Sequence, residues 1–345
     1  MNNNFVKKLA IAATVFGFVV VLLGAFTRLS DAGLGCPDWP GCYDFLHIPT
    51  KAEDIDKANQ AYPERPYEFA KAWPEMVHRY FAGILGLMVL ALALLSLKNK
   101  HGYAKKHSFG LLALIIFQAA LGMWTVTMKL HPGIVMAHLA GGFAMLVLLA
   151  ALSLRYVMQF KSSIGLEQQL KYRGFTIFAT IVLIIQILLG GWTSANYAAT
   201  VCYELPICQA GWYANSDFVS AFQIWGHGAD DYEFGILEND ARIAIHASHR
   251  IGAIIATIIL AFLSYRLISQ NSCQKLKKFG LLIGGLLIVQ VVLGIFNIIF
   301  QLPLYNAVAH NGVGALLLVA MGLLIAKLYL PTNVQPQEAV GNSND

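Results

Sequence analysis

Long apolar stretches dominate the chain and are broken by polar segments of two kinds. Apolar runs close to 18 residues or longer lie near 9 to 26, 80 to 97, 109 to 126, 134 to 154, 175 to 195, 243 to 265, 279 to 300 and 307 to 330. Each is long enough to cross roughly 30 Å of hydrocarbon as an α-helix, so eight transmembrane spans are expected. The polar segments between them are either short and rich in Lys and Arg, or long, near 29 to 75 and 196 to 242. The first run follows Lys7 and Lys8 in the manner of a signal sequence. Its apolar core is long, however, and no small-residue cleavage site precedes Arg28, so it is expected to stay as an anchor.

Composition sharpens this picture. With 345 residues, 57% of them hydrophobic and 12% charged, and a mean hydropathy of +0.59, the chain is too apolar for an ordinary soluble domain. Lys98, Lys100, Lys105 and Lys106 fill one short loop, Arg155, Lys161, Lys171 and Arg173 the next, and Arg266, Lys275, Lys277 and Lys278 a third, with Glu167 the one acid among them. The positive-inside bias makes these loops cytoplasmic, puts both termini inside and leaves the two long segments outside. The net charge of +5 is therefore a signal of topology in a bacterial cytoplasmic membrane. Nucleic acid is not expected as a partner, because the basic residues flank spans instead of gathering on one soluble face. Cys36, Cys42, Cys202 and Cys208 fall in the outer segments, where disulfides are permitted, and Cys273 lies inside as a free thiol.

The chain is written twice. "LLGAFT" ending at Thr27 answers "LLGGWT" ending at Thr193, and Cys36, Pro40 and Cys42 answer Cys202, Pro206 and Cys208, each 166 residues later. "HRYFAG" from His78 answers "HRIGA" from His249 at an offset of 171. "QAALG" from Gln118 answers "QVVLG" from Gln290, and "AHLAGG" around His138 answers "AHNGVG" around His310, both at 172. The expected fold is thus all-α and integral to the membrane, with eight spans arranged as two parallel-repeat four-helix bundles. A first half over 1–157, a linker over 158–174, a second half over 175–330 and a disordered cytoplasmic tail over 331–345 follow from the repeat.

In that topology His78, His138, His249 and His310 all come near the outer ends of spans, at matched depth. Two facing imidazoles inside a four-helix bundle suit a six-coordinate haem, one for each half. The neighbouring Gly83, Gly141, Gly142, Gly252, Gly312 and Gly314 would let a flat macrocycle approach. A lone interfacial histidine more often pairs with a backbone carbonyl, but the duplication favours ligation. Zinc is disfavoured because no cysteine or carboxylate cluster accompanies either pair. His47, His101, His107, His131 and His227 read as solvated loop residues. Arg79 and Arg250 follow His78 and His249, where a guanidinium either pairs with a haem propionate or snorkels to the interface.

The halves differ at one telling place. Three residues before His78 stands Glu75; three before His249 stands His246. A partly desolvated carboxyl beside a haem can act as an acid, a base or an anchor for a reacting intermediate. The plainer reading is an anion in the first turn of a helix that Pro74 begins.

Together "GAFTRLSDAGLGCPDWPGC", "PEMVHR", "MAHLAGG", "HASHR" and "VAHNGVGALLL" resemble the haem A synthase family, over essentially all eight spans. The resemblance implies a membrane oxidoreductase that oxidises the C8 methyl of haem O to a formyl group, making haem A for terminal oxidases. It implies that His78 and His138 flank the substrate haem, that Glu75 takes part in the oxidation, and that His249 and His310 ligate a haem b cofactor. Cys36 with Cys42, and Cys202 with Cys208, match the family's outer cysteine pairs, and equal spacing in both loops lets each close a small ring. A haem O synthase and an electron-transfer protein are the expected partners beside membrane lipid, with self-association a further expectation. The rival from another class is a two-haem membrane cytochrome b that only carries electrons.

Overall fold

The computed structural model describes residues 3–98, 102–158, 162, 164–269 and 273–332. Lys100, His101, Lys161 and all but the first two residues of the expected tail lie outside the described residues. Ten helices are described: α1 (Asn3–Leu29), α2 (Ala52–Ala61), α3 (Phe69–Ser96), α4 (Gly102–Thr127), α5 (Pro132–Val157), α6 (Leu166–Ala195), α7 (Phe218–Ala221), α8 (Asn239–Ser269), α9 (Gln274–Ile299) and α10 (Leu304–Tyr329). All but α2 and α7 are long and apolar enough to cross a membrane, which makes eight spans. Helix is the only local solution for such segments, because hydrocarbon offers no partner to an unpaired N–H or C=O.

The helices run past the apolar stretches that announce them. α3 begins at Phe69, well before the apolar run at 80, and α6 begins at Leu166, inside the segment expected to link the halves. The apolar run marks the part in hydrocarbon, whereas backbone hydrogen bonding continues into the interface until a cap or loop stops it. His78 is therefore the tenth residue of α3 and does not open it. Pro74 is not a first-turn proline either; it sits inside the helix, where its missing N–H leaves a gap in the ladder. The depths nevertheless match: His249 is the eleventh residue of α8, and His138 and His310 are each the seventh of α5 and α10.

Neighbour relations repeat along the chain. α1 packs on α3 and α5, and α4 packs on the same two, closing a ring of four. α6 packs on α8 and α10, and α9 packs on the same two, closing a second ring. The rings meet where α10 lies against α1 and α5, and where α5 touches α6. α10 is accordingly the most enclosed span, 56% buried over its most apolar window against a third or less for the others. Small residues permit the seam: a side chain at Gly322 would collide with Val147, and one at Gly312 with Leu22. On the basic-loop side, Gln169 Nε2 donates to the Leu330 carbonyl at 2.9 Å and Arg173 Nε to the Leu328 carbonyl at 2.8 Å. The start of the second ring is thus pinned to the end of its own last helix.

The two outer segments lie together. Arg65, in the first, pairs with Asp231 at 3.2 Å and Glu233 at 3.0 Å in the second. The Tyr232 N–H donates to the Lys129 carbonyl, in the turn between α4 and α5, at 3.1 Å. A stretch that follows the fifth span therefore roofs the ring built by the first four.

Candidate haem sites and the outer carboxylate

Each of the four histidines rests against a glycine on the adjacent span. A Cβ at Gly24 would come 2.9 Å from the His78 ring, and one at Gly190 2.9 Å from the His249 ring. A Cβ at Gly122 would lie 3.4 Å from His138, and one at Gly294 3.1 Å from His310. Any larger residue would push the imidazoles off their places. These four glycines have a different task, seating the imidazoles, from the one the sequence reading gave to the glycines beside the histidines. Gly312 packs on α1, Gly141, Gly252 and Gly314 receive glutamine side chains, and Gly83 and Gly142 face open space. The signal for these four was already present, because "LLG" and "LG" stand within the repeated motifs.

His78 and His138 face one another with ring centroids 6.5 Å apart and planes at 81°. Nδ1 of His78, of His138 and of His310 is buried with no hydrogen-bond partner. Buried imidazoles left wanting partners are costly unless something else engages them. No group of three or more His, Cys, Asp or Glu able to hold a metal ion occurs among the described residues. Paired neutral imidazoles on facing helices fit haem iron, whose remaining four ligands come from the macrocycle.

Beside His78 the carboxylate of Glu75 is buried, 5% exposed, and fully engaged. Its Oε2 accepts the Cys36 N–H at 2.9 Å, and its Oε1 pairs with Arg79 at 2.5 Å. The same guanidinium donates to the Asp38 carbonyl at 3.0 Å and to the Gly41 carbonyl. Glu75 is thus no first-turn anion; it is the anchor on which Arg79 and the first cysteine loop are hung. The second half rebuilds this with other atoms. Cys202 N–H approaches His246 Nδ1 at 3.3 Å, and Arg250 Nε donates to His246 Nε2 at 3.1 Å. Arg250 also donates to the carbonyls of Glu204 at 2.5 Å, Ile207 at 2.9 Å and Cys202. Both arginines therefore hold the outer loops onto the helices that carry His78 and His249.

Those loops are closed by disulfides, Cys36 to Cys42 and Cys202 to Cys208, each with Cα atoms 4.7 Å apart, and Cys273 takes part in neither. Tyr43, next to Cys42, is buried against Tyr62 and Tyr67, and burial pushes its phenol up to about 12. Its hydroxyl donates to the Pro66 carbonyl at 3.2 Å.

Two histidines read as solvated loop residues are otherwise placed. His107 lies within α4, its Nε2 2.9 Å from the Leu148 carbonyl. His131 caps α5, its Nδ1 accepting the Gly133 N–H at 3.2 Å, and is only 4% exposed. Its ring stacks on Trp225 at 4.2 Å and meets Tyr232 edge-on at 4.8 Å, both from the second outer segment. Burial, and then the nearby His227, hold it below the ordinary histidine range. No local motif marks such a contact, since its partners lie about a hundred residues away.

Similar proteins bear out the membrane-enzyme reading. A protein of Shewanella oneidensis named heme A synthase is 48% identical over 308 residues, covering 89% of this chain and 92% of that protein. Heme A synthases of Lysinibacillus sphaericus and Caulobacter vibrioides are 24% and 25% identical, over 95% and 92% of this chain and 96% and 93% of theirs. Residues 7–322 match the family described as COX15-CtaA, cytochrome oxidase assembly protein, and the chain belongs to that family.

Proposed function

We propose that this protein is a haem A synthase: a multi-pass membrane oxidoreductase that converts the C8 methyl of haem O to a formyl group, supplying haem A for oxidase assembly. The observation that carries the reading is the replacement of Glu75 by His246 in an otherwise repeated frame. A carrier of electrons has no need of a carboxyl group beside one of its haems, whereas a site that oxidises carbon needs a group that can handle protons.

In this reading His78 and His138 flank the substrate haem in the first half, 1–157, and His249 and His310 ligate haem b in the second, 175–330. Haem b, when bound, supplies an electron path out of the substrate site. Taking a methyl to a formyl removes four electrons in two stages, through an alcohol and a hydrated aldehyde that loses water. Protons leave with those electrons. Glu75 is suited to take a proton or to face developing positive charge, since it is held one helical turn from His78 by the Cys36 N–H and Arg79. The two arginines, besides fixing the cysteine loops, are the groups proposed to pair with haem propionates. Both termini and the basic loops are assigned to the cytoplasm, and the disulfide loops to the outside of a bacterial inner membrane. A haem O synthase, an electron-transfer protein and a second copy of the chain remain the expected partners.

Pigment extraction from the purified protein tests the reading. Haem O or haem A beside haem b, identified by mass, is the expected result. Haem b alone in both sites would make the protein a two-haem electron carrier.

A further inference from the structure

The second half contains a polar side chain that the first half lacks. Gln186, on α6, brings its amide nitrogen 2.9 Å from His249 Nδ1 and 3.0 Å from the His249 carbonyl. Room for this amide exists because residue 252 is glycine: a Cβ there would collide with Gln186 Oε1. At the corresponding positions of the first half, 166 and 171 residues earlier, stand Val20 and Phe81. Phe81 stacks on Phe16, with centroids 5.2 Å apart, and the His78 ring is left with the Val20 backbone carbonyl in place of a side-chain partner. Two positions have thus changed together. Where one half has an amide and a glycine, the other has two apolar side chains, and the difference falls on the ring nitrogen that faces away from a bound haem.

We infer that Gln186 is a positioning residue for the haem ligand His249, fixing its ring and tautomer through Nδ1, a side-chain hold that has no counterpart in the first half. The inference rests on the reading of the second half as the haem b half. When Nε2 is given to iron, Nδ1 carries the proton and needs an acceptor. The amide oxygen of Gln186 is buried with no partner, and turning the amide over presents it to Nδ1–H. The turned amide must also swing off the His249 carbonyl, now 3.0 Å from its nitrogen, so that two acceptors do not face each other, and that carbonyl keeps its own helical hydrogen bond. An acceptor on Nδ1 makes imidazole a stronger donor to iron, which favours the ferric state and lowers the reduction potential.

The experiment compares the wild type with Gln186→Leu, Gln186→Glu and His249→Ala, each as the purified full chain carrying the haem it acquires in the membrane. Gln186→Leu is expected to raise the haem b potential, to change the low-spin electron paramagnetic resonance signature, and to weaken haem b retention about ten- to a hundredfold. Gln186→Glu keeps an oxygen at the same place and should restore retention with a potential at or below that of the wild type. A purely structural role for Gln186 would leave the potential where it is. An unmoved potential and unchanged retention in Gln186→Leu, with haem b lost in His249→Ala, would overturn the inference alone. Haem b persisting in His249→Ala would overturn the reading beneath it.

Discussion

Glu75 and His246 stand at the same place in the two halves. Each faces the N–H of the first cysteine of its outer loop, Cys36 at 2.9 Å and Cys202 at 3.3 Å, and each receives the arginine four residues on. Glu75 offers one oxygen to Arg79 and the other to the Cys36 N–H, whereas the single lone pair of a neutral imidazole can serve only one of its two donors. The loop is thus held by both donors in the first half and by one at a time in the second, and the surplus in the first is a carboxyl group placed one turn from His78.

Glu75→Gln isolates that surplus. The amide keeps an acceptor for the Cys36 N–H and leaves all four histidines in place. Haem should still be bound in both halves, while conversion of haem O to haem A should fall by roughly a hundredfold to ten-thousandfold. Glu75→Asp should retain part of the activity. Haem A made at the wild-type rate by the glutamine variant, in membranes supplied with haem O, would reduce Glu75 to a structural anchor.

Removing the first disulfide should be felt as lost stability. Cys36→Ser with Cys42→Ser frees a loop closed over a separation of 6 residues, with an expected cost of about 2 kcal/mol. Thermal unfolding of the purified protein reads this directly, and non-reducing peptide maps of the wild type should show both rings closed. Four free thiols in those maps would contradict the pairing.

The roof over the first ring should loosen in mild acid. His131 is held neutral, below the ordinary value near 6.5, by burial and by His227. The unfolded segment therefore binds the extra proton first, and the contribution of His131 is complete above about pH 6.5 and lost as pH falls beneath it. Hydrogen-exchange protection over residues 224–233, corrected for the slower intrinsic exchange in acid, should fall between pH 7.5 and 5.5 in the wild type, and much less in His131→Phe. Equal pH dependence in both would remove His131 as the cause.

Topology is checked by reporters. Fusions near Asp54 and Asp231 should read as outside, and fusions near Lys105 and Lys277 as inside. An inverted result at either pair would undo the matched depth of the histidines.

Much of this architecture was legible because a bilayer constrains sequence strongly. Apolar run length reports a span, and the repeated motifs carry the histidines and, unremarked, the glycines that seat them. Helix starts were less legible, as α3 and α6 show, because run length is blind to backbone that continues into the interface. The clasp of Glu75 by Cys36 and Arg79, and the burial of His131 under Trp225, were not legible. They depend on where two long polar segments fold back, which no periodicity records.

The ion pairs of Arg65 with Asp231 and Glu233 have a genetic corollary. Position along the gene is a poor guide to which half of the protein a lesion disables. A mutation at Tyr232 or Glu233 lies in the coding sequence of the second repeat and acts as an allele of the first. By the same token, a chimera that exchanges halves between relatives inherits mismatched surfaces at the roof unless residues 30–68 and 218–238 travel together.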